Sequence, residues 1–180
     1  NLNNLIIKNA VVGILMEGND DTDQTLKLRN VQIYNSANVG LLSRRGHIYG
    51  ENVVINNAGQ ASLAATFGGK YLFRHCTFTN YFGSYNQVPV LINDYQQTSE
   101  TTIEVTDLDV QFDNCILYGS SNYGMLLETQ GSSEGTVFNY KFNNCLIKFT
   151  DFSNQFKDNP LYQFDEVGGR YENCLVAKNS

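Results

Sequence analysis

The sequence has no apolar run near the roughly 18 residues that a membrane-spanning helix needs, and no cluster of basic residues. Its net charge is -6, which argues against nucleic-acid binding, because neutralising phosphates requires clustered lysine and arginine. No segment of useful length has apolar residues at helical spacing. Tryptophan is absent and proline occurs twice, whereas asparagine is abundant beside valine, isoleucine, phenylalanine and tyrosine, which favours short strands joined by tight turns.

The composition that is present is that of a globular protein, with 42% hydrophobic and 17% charged residues. We expect residues 1–180 to form a single domain. Since the chain begins inside a repeat and Asn1 does not open a signal peptide, we also expect it to be a segment of a longer secreted or surface protein, without its end caps.

An eight-residue unit recurs along the chain, most clearly at 110–117, 140–147 and 169–176. Earlier copies lie at 26–33, 48–55 and 71–78, with a partial copy at 4–7. The shortest spacing between copies is 22 residues, and longer spacings contain insertions at 82–88, 95–106, 129–137 and 151–159. A short period lengthened by insertions is typical of stacked supersecondary units with loops on one side.

Apolar residues alternate on both sides of an asparagine in each unit, which predicts strands with one buried face. We expect three strands per unit, the first of them at 13–17, 40–44, 62–66, 89–93, 124–128 and 160–164. The asparagine marks a sharp corner, because this residue tolerates left-handed backbone. Stacked corner residues can pass hydrogen bonds between layers, and this predicted ladder comprises Asn30, Asn52, His75, Asn114, Asn144 and Asn173.

The four cysteines, Cys76, Cys115, Cys145 and Cys174, all occupy the slot that follows the corner. Equivalent slots stack along one line, about 4.8 Å apart per layer, so the thiols do not converge as a zinc site requires. We interpret them as a row of small buried side chains. A second line of equivalent inward-facing residues, one from each repeat, should run beside the cysteines. We call it the inward file, and it should contain Leu28, Gly50, Phe73, Phe112, Phe142 and Tyr171.

These repeats resemble the right-handed parallel β-helix proteins of the pectate-lyase-like group, along essentially the whole chain. The "Asn-Cys" and "Gly-Ile-Leu" units are similar to those of uncharacterised surface and envelope proteins, some of them lipoproteins, from Gram-negative bacteria. The resemblance implies an all-β solenoid of about six to seven coils, located at the cell surface, in the outer membrane or outside the cell. It does not imply an activity, because this fold hosts lyases, hydrolases, adhesins and spacers alike.

The outward side of the first strands carries an apolar row, which we predict to consist of Leu15, Leu42, Ala64, Leu91, Leu126 and Tyr162. The next outward row includes Glu17, Arg44 and Glu128, of which Glu17 and Arg44 form its one pair of opposite charges. A soluble protein rarely leaves so long an apolar row uncovered. Aromatic residues of the insertions could cover it, namely Tyr81, Phe82, Tyr85, Tyr95 and Tyr123. Otherwise a protein partner or a polysaccharide binds it.

The leading hypothesis is therefore a non-catalytic module that presents this strand face to a protein partner or a glycan, within a larger envelope assembly. The alternative is a polysaccharide lyase or glycoside hydrolase, with Arg44, Arg45 and His47 as catalytic residues. The motifs of polygalacturonase-type enzymes are absent as a set, and carboxylates do not stack on the first strands. No cofactor is expected, although Asp20, Asp21 and Asp23 offer oxygen ligands for Ca²⁺. A third possibility is a rigid spacer without a site.

Overall fold

The computed structural model describes residues 1–18, 25–83, 87–130, 135–165 and 169–177. Within these ranges the chain forms strands and one 3-10 helix, Pro160–Tyr162. The strands are β1 (Leu2–Lys8), β2 (Val12–Glu17), β3 (Thr25–Ser36), β4 (Val39–Arg44), β5 (His47–Ala58), β6 (Ala61–Thr66), β7 (Gly69–Arg74), β8 (Thr77–Asn80), β9 (Val88–Asn93), β10 (Tyr95–Gln97), β11 (Ile103–Val105), β12 (Leu108–Asp113), β13 (Ile116–Gly119), β14 (Met125–Glu128), β15 (Phe138–Asn143), β16 (Leu146–Lys148), β17 (Tyr171–Glu172) and β18 (Leu175–Ala177).

Two parallel sheets contain most of these strands. The larger sheet has eleven strands, and its connected order is β17-β15-β12-β7-β5-β8-β13-β16-β18, with β3 pairing β5 and β1 pairing β3. The smaller sheet has the order β14-β9-β6-β4-β2, and the insertion at 95–106 forms the antiparallel hairpin of β10 and β11. The chain is therefore all-β with parallel sheets, an architecture compatible with a β-solenoid.

Strand register places equivalent residues of successive repeats beside one another. Leu28 pairs with Gly50, Gly50 with Phe73, and Phe73 with Phe112, and the file continues through Phe142 to Tyr171. Every residue of this file from Phe73 onward is buried, as the alternation predicted. The predicted superposition of these residues is confirmed.

The aromatic members of the file, Phe73, Phe112, Phe142 and Tyr171, form a ring stack. Successive ring centroids are 5.3, 5.0 and 5.2 Å apart, and the planes of Phe112 and Phe142 differ by only 2°. Gly50 makes room for the first ring, because a Cβ at that position would lie 2.5 Å from Cδ1 of Phe73. Each stacked pair adds about 0.5–1.5 kcal/mol beyond the burial of its apolar area.

The corner residues have the left-handed backbone that the sequence predicted. Their φ angles lie between 51° and 55° in all seven repeats, at Asn4, Asn30, Asn52, His75, Asn114, Asn144 and Asn173. The expected break between strands occurs only in the later repeats. In β3 and β5 the strand continues through the corner for 12 residues, so these repeats do not have the three separate strands predicted.

The predicted strand at 160–164 is wrong, because Pro160–Tyr162 forms the 3-10 helix instead. Asn159 caps this helix by accepting a hydrogen bond from the backbone N–H of Leu161 at 2.9 Å. Tyr162 turns into the core, where its ring centroid lies 4.9 Å from that of Phe149 and 4.7 Å from that of Phe156. Burial of these rings outweighs the alternating pattern that favoured a strand.

Candidate functional site

The outer face of the smaller sheet carries a row of apolar side chains, which we call the leucine row. Strand register aligns one residue from each of five strands, and these residues are Leu15, Leu42, Ala64, Leu91 and Leu126. Leu15, on the edge strand β2, is 55% exposed, whereas the other three leucines are half-buried. The row therefore presents a continuous apolar strip about four strand spacings long, or roughly 19 Å.

Short aliphatic side chains make this face flat. Val39, Ala61, Ala64 and Val88 form a small buried cluster, and Leu42, Leu91 and Leu126 pack against it. Ala64 is only 4% exposed because it lies between the taller Leu42 and Leu91 in the register. This side of the sheet is thus an apolar layer separate from the main core, with its leucines at the surface.

A polar border runs along one side of the leucine row. Arg44 donates a hydrogen bond to Glu17 at 2.7 Å, in the neighbouring pair that the sequence indicated. At the other end, the hydroxyl of Tyr95 donates to Glu128 at 3.1 Å. Burial and the nearby Glu128 carboxylate raise the pKa of Tyr95. Both predicted acidic border residues are therefore already paired with a side chain of this molecule.

Tyr162 does not belong to this face, so its predicted place in the row is wrong. Its side chain is 6% exposed, and its hydroxyl donates to the backbone carbonyl of Leu127 at 3.1 Å and accepts from the Leu127 N–H at 2.8 Å. These are the backbone groups that a sixth strand would have bonded. Tyr162 thus caps the edge of β14, and burial raises its pKa to about 12.

The aromatic residues of the insertions do not share one location. Tyr81 and Phe82 are about half exposed, at 55% and 51%. Tyr123 packs against Phe149 and Phe156, with ring centroids 5.1 and 5.2 Å away, next to the aromatic cluster around Tyr162. Tyr85 lies outside the described residues. Among the described members of this group, Tyr95 reaches the border of the leucine row, where it contacts Glu128.

The residues of the enzyme alternative have separate environments. Arg44 pairs with Glu17 on the smaller sheet, and Arg45, in a left-handed turn with φ of 50°, stacks 4.9 Å from the ring centroid of Phe67. His47 begins β5 in the larger sheet and lines a groove of about 440 Å³ there, beside Lys70 and Tyr49. The structure therefore divides these three residues among two sheets and the turn between them.

Metal ligands do not converge in the part of the chain that the structure describes. No group of three or more histidine, cysteine, aspartate or glutamate residues there is placed to hold a metal ion. The predicted Ca²⁺ ligands Asp20, Asp21 and Asp23 lie outside the described residues.

The corner itself is built differently along the chain. The amide of Asn30 donates to the Asn4 side chain at 3.0 Å, and that of Asn52 donates to Asn30 at 2.7 Å.

At the later corners a groove of about 470 Å³ is lined entirely by polar residues, among them Arg74, His75 and Asp113. Burial raises the pKa of Asp113, but hydrogen bonds from Asn143, Gln111 and Arg74 outweigh it and lower this pKa overall.

A second corner was missed in the sequence. Asn9, Asn35 and Asn57 also have left-handed backbone, with φ of 57°, 56° and 59°. Each lies five residues after the corner asparagine of its repeat, so this recurring spacing was the signal that would have revealed it. In these three repeats the second asparagine turns the chain from the larger sheet toward the smaller one, and so it helps to position the leucine row.

The cysteines form a column beside the ring stack. All four are free thiols; Cys76, Cys115 and Cys145 are buried, and Cys174 is partly exposed. Each sulfur lies within 3.6 Å of two backbone carbonyl oxygens, for example 3.3 Å from that of Asp113 and 3.5 Å from that of Phe73 at Cys115. This is the row of small inward side chains that the sequence predicted.

Comparisons with known proteins assign no family to this geometry: no protein-family model matches the chain, and neither a curated protein nor a solved structure matches it significantly. In the described ranges, no helix has the length and apolar character needed to cross a membrane.

Proposed function

We propose that this chain is a right-handed parallel β-helix of about six to seven coils that serves as a non-catalytic binding module. Its binding surface is the leucine row, and its ligand is a partner protein. The parallel register of both sheets and the superposed ring stack support the coil arrangement. The fold proposal follows from stacking one repeat over the next.

One observation carries the functional proposal: the outward residues of five neighbouring strands are aligned, and the four leucines among them remain partly exposed. Contiguous apolar surface on a soluble protein marks an interaction site more often than isolated apolar residues do. A rigid sheet also loses little conformational freedom on binding, which favours affinity.

The chemistry of the row favours a protein over a sugar. Its members are aliphatic, whereas rigid aromatic rings would be the expected platform for stacking. An apolar centre with a polar border is the usual anatomy of a protein interface, and here the pairs Arg44–Glu17 and Tyr95–Glu128 form that border.

The location proposed for this module is the bacterial cell surface or the extracellular space, as part of a larger envelope assembly. This location is consistent with a negative net charge of -6 and a rigid repeat scaffold, and it rests on the resemblance of the repeats.

The test is a paired substitution in the leucine row, Leu42→Asp with Leu126→Asp. Both residues are half-buried on the outer face, so the charges would face any bound partner. We expect proteins captured by the immobilised wild-type chain, identified by mass spectrometry, to be lost by this variant.

The matched control is Leu72→Asp, because Leu72 is also half-buried but lies in the groove of the larger sheet. Far-UV circular dichroism must show that all variants keep the wild-type strand signal. Equal capture by both variants and the wild type would contradict the proposal. Retention of glycans in an array, with loss in the Leu42/Leu126 variant alone, would assign the surface to sugars instead.

A further inference from the structure

A groove of about 1210 Å³ lies where residues 157–165 pass the end of the larger sheet. Its lining comes from β15, from the residues just before β17, and from the 3-10 helix with its flanking residues. It is more than twice as large as the groove beside His47 or the groove at the later corners. Small-molecule sites usually measure roughly 300–1,000 Å³, so this volume suits a longer ligand, such as several residues of an extended chain.

One part of the groove is aromatic. Tyr140 and Tyr162 are almost fully buried, and Phe164 is half-buried. The ring centroid of Tyr171 lies 4.6 Å from that of Phe164 and 5.9 Å from that of Tyr140, so the rings support one another. Because this surface is rigid, an apolar side chain can pack on it with little loss of conformational freedom in the protein.

The other part of the groove carries positive charge. Its basic side chains are Lys141, Lys157 and Arg170, and its one carboxylate is that of Asp165. Lys141 is paired with Glu172 at 3.0 Å. Within the described ranges, neither Arg170 nor Lys157 forms an ion pair. Since the whole chain has a net charge of -6, this local excess of positive charge makes the groove a favourable place for an anion.

Arg170 is held in place at both its backbone and its side chain. Its carbonyl accepts the N–H of Phe142 at 2.8 Å, which fixes it to the sheet. Its guanidinium lies 4.6 Å from the ring centroid of Tyr140 and donates to the hydroxyl of that residue at 3.0 Å. This hydroxyl in turn donates to the carbonyl of Leu161 at 3.0 Å. A guanidinium has five N–H groups, so donors remain for a carboxylate.

We propose that this groove binds an acidic peptide segment of a partner protein. Carboxylates of the segment bind Arg170 and Lys157, and an apolar side chain of the segment packs on the rings. The planar fork of a guanidinium matches the geometry of a carboxylate. A compact anion such as phosphate would leave the aromatic part uncovered. The groove shares no residue with the leucine row and does not depend on the function proposed for that row.

The experiment titrates a synthetic peptide into the chain by isothermal titration calorimetry. The acidic probe has seven residues and blocked ends, with glutamate alternating with phenylalanine, glycine and phenylalanine, and its uncharged counterpart has glutamine in place of glutamate. We expect one acidic peptide to bind per chain, with an affinity that falls as sodium chloride is added. The uncharged peptide should bind about tenfold more weakly, or less, because it cannot form charge-assisted hydrogen bonds.

Two substitutions test the cations of the groove. Arg170→Gln removes the charge and the fork, and should weaken binding of the acidic peptide about tenfold or more. Lys157→Gln removes an exposed point charge and should weaken it about threefold. The matched control is Arg29→Gln, because Arg29 is an exposed arginine of the larger sheet that also lies near a ring, 5.7 Å from the centroid of Tyr49. This control should bind the peptide as the wild type does.

Far-UV circular dichroism must show that each variant keeps the wild-type strand signal. Because Arg170 contacts the buried Tyr140, its replacement could disturb the fold, whereas the exposed Lys157 gives a test that does not depend on the core. The Leu42→Asp, Leu126→Asp variant should bind the acidic peptide normally, so this proposal and the one for the leucine row fail separately.

Four results would overturn the proposal. These are no binding of the acidic peptide, equal binding of the two peptides, unchanged binding by Lys157→Gln, and an equal loss of affinity in Arg29→Gln and Arg170→Gln. Complete displacement of the peptide by sodium phosphate at constant ionic strength would show that the groove accepts any anion, and would also contradict its assignment to a peptide.

Discussion

The early and late repeats of this chain build the same left-handed corner by different means. In the early repeats, β3 and β5 pass through the corner unbroken, and Asn4, Asn30 and Asn52 are joined by side-chain amides on the outside. In the late repeats the strands break at the corner. No amide bond joins Asn114, Asn144 and Asn173, all of which are described.

The interior of the late repeats compensates for the missing ladder. There, cysteine replaces valine in the slot after the corner, and aromatic rings replace Leu28 and Gly50 in the neighbouring file. His75 stands at the boundary between the two arrangements. One backbone geometry can thus be stabilised from outside by polar side chains or from inside by rings and thiols.

The largest expected effect is that of emptying the ring stack. Phe112→Ala removes a fully buried ring that contacts Phe73, Phe142 and Phe78, and should lower the free energy of unfolding by about 3–5 kcal/mol. Leu28→Ala, in the same file of the early repeats, removes no ring contact and should cost less. Urea denaturation of both variants measures the change in the free energy of unfolding. An equal loss of stability in the two variants would contradict the conclusion that the ring stack is the main stabilising feature of the late repeats.

The late repeats also have a capped strand edge, which Tyr162→Phe would uncover. Loss of the hydroxyl leaves the N–H and carbonyl of Leu127 without their partner and should cost about 1–3 kcal/mol. Amide hydrogen exchange should accelerate at Leu127 but not at Leu63, in the middle of the same sheet. Unchanged exchange at Leu127 would show that the cap is not needed.

The same residue predicts a dependence on alkaline pH. Burial raises the pKa of Tyr162 from 10.0 to about 12, so the folded state retains a proton that the unfolded state loses in this interval. The stabilisation is fully present below pH 10.0 and falls as the pH rises toward about 12. The free energy of unfolding of the Tyr162→Phe variant should therefore decrease less with rising pH than that of the wild type. The buried Tyr71, whose pKa is raised to about 12 as well, should account for another part.

The smallest effect separates the two kinds of corner. Glycine accepts left-handed backbone freely, so Asn30→Gly removes mainly the two amide hydrogen bonds and should cost about 1–2 kcal/mol. Asn144→Gly removes no such bond and should be close to neutral. Chemical denaturation of the two variants measures the difference in their free energies of unfolding. Similar losses of stability at both positions would show that the amide hydrogen bonds do not stabilise the early corners.

Much of this fold follows from the sequence because its repeats reuse the same residue types. Aligning the asparagines gave the register of the inward file and the left-handed corner, since both are local consequences of alternation and of asparagine's backbone tolerance. The same alignment brought Glu17 beside Arg44 on neighbouring strands, where they form their ion pair.

The errors arose where tertiary packing outweighs pattern. Residues 160–164 alternate like a strand, yet Pro160 begins a 3-10 helix and the rings of Phe149 and Phe156 draw Tyr162 inward. The continuity of β3 through Asn30 was equally hidden, because a left-handed residue usually ends a strand. Neither outcome can be inferred from a single repeat, since both depend on contacts between distant segments.

The hydroxyl cap on Leu127 has a consequence for association between molecules. Head-to-tail growth through the smaller sheet would require β14 of one molecule to pair with an edge strand of the next. Tyr162 already occupies both backbone groups of Leu127, in the middle of that short strand. A single obstructed end is sufficient to stop such a fibre, so one phenolic side chain protects this sheet from open-ended polymerisation.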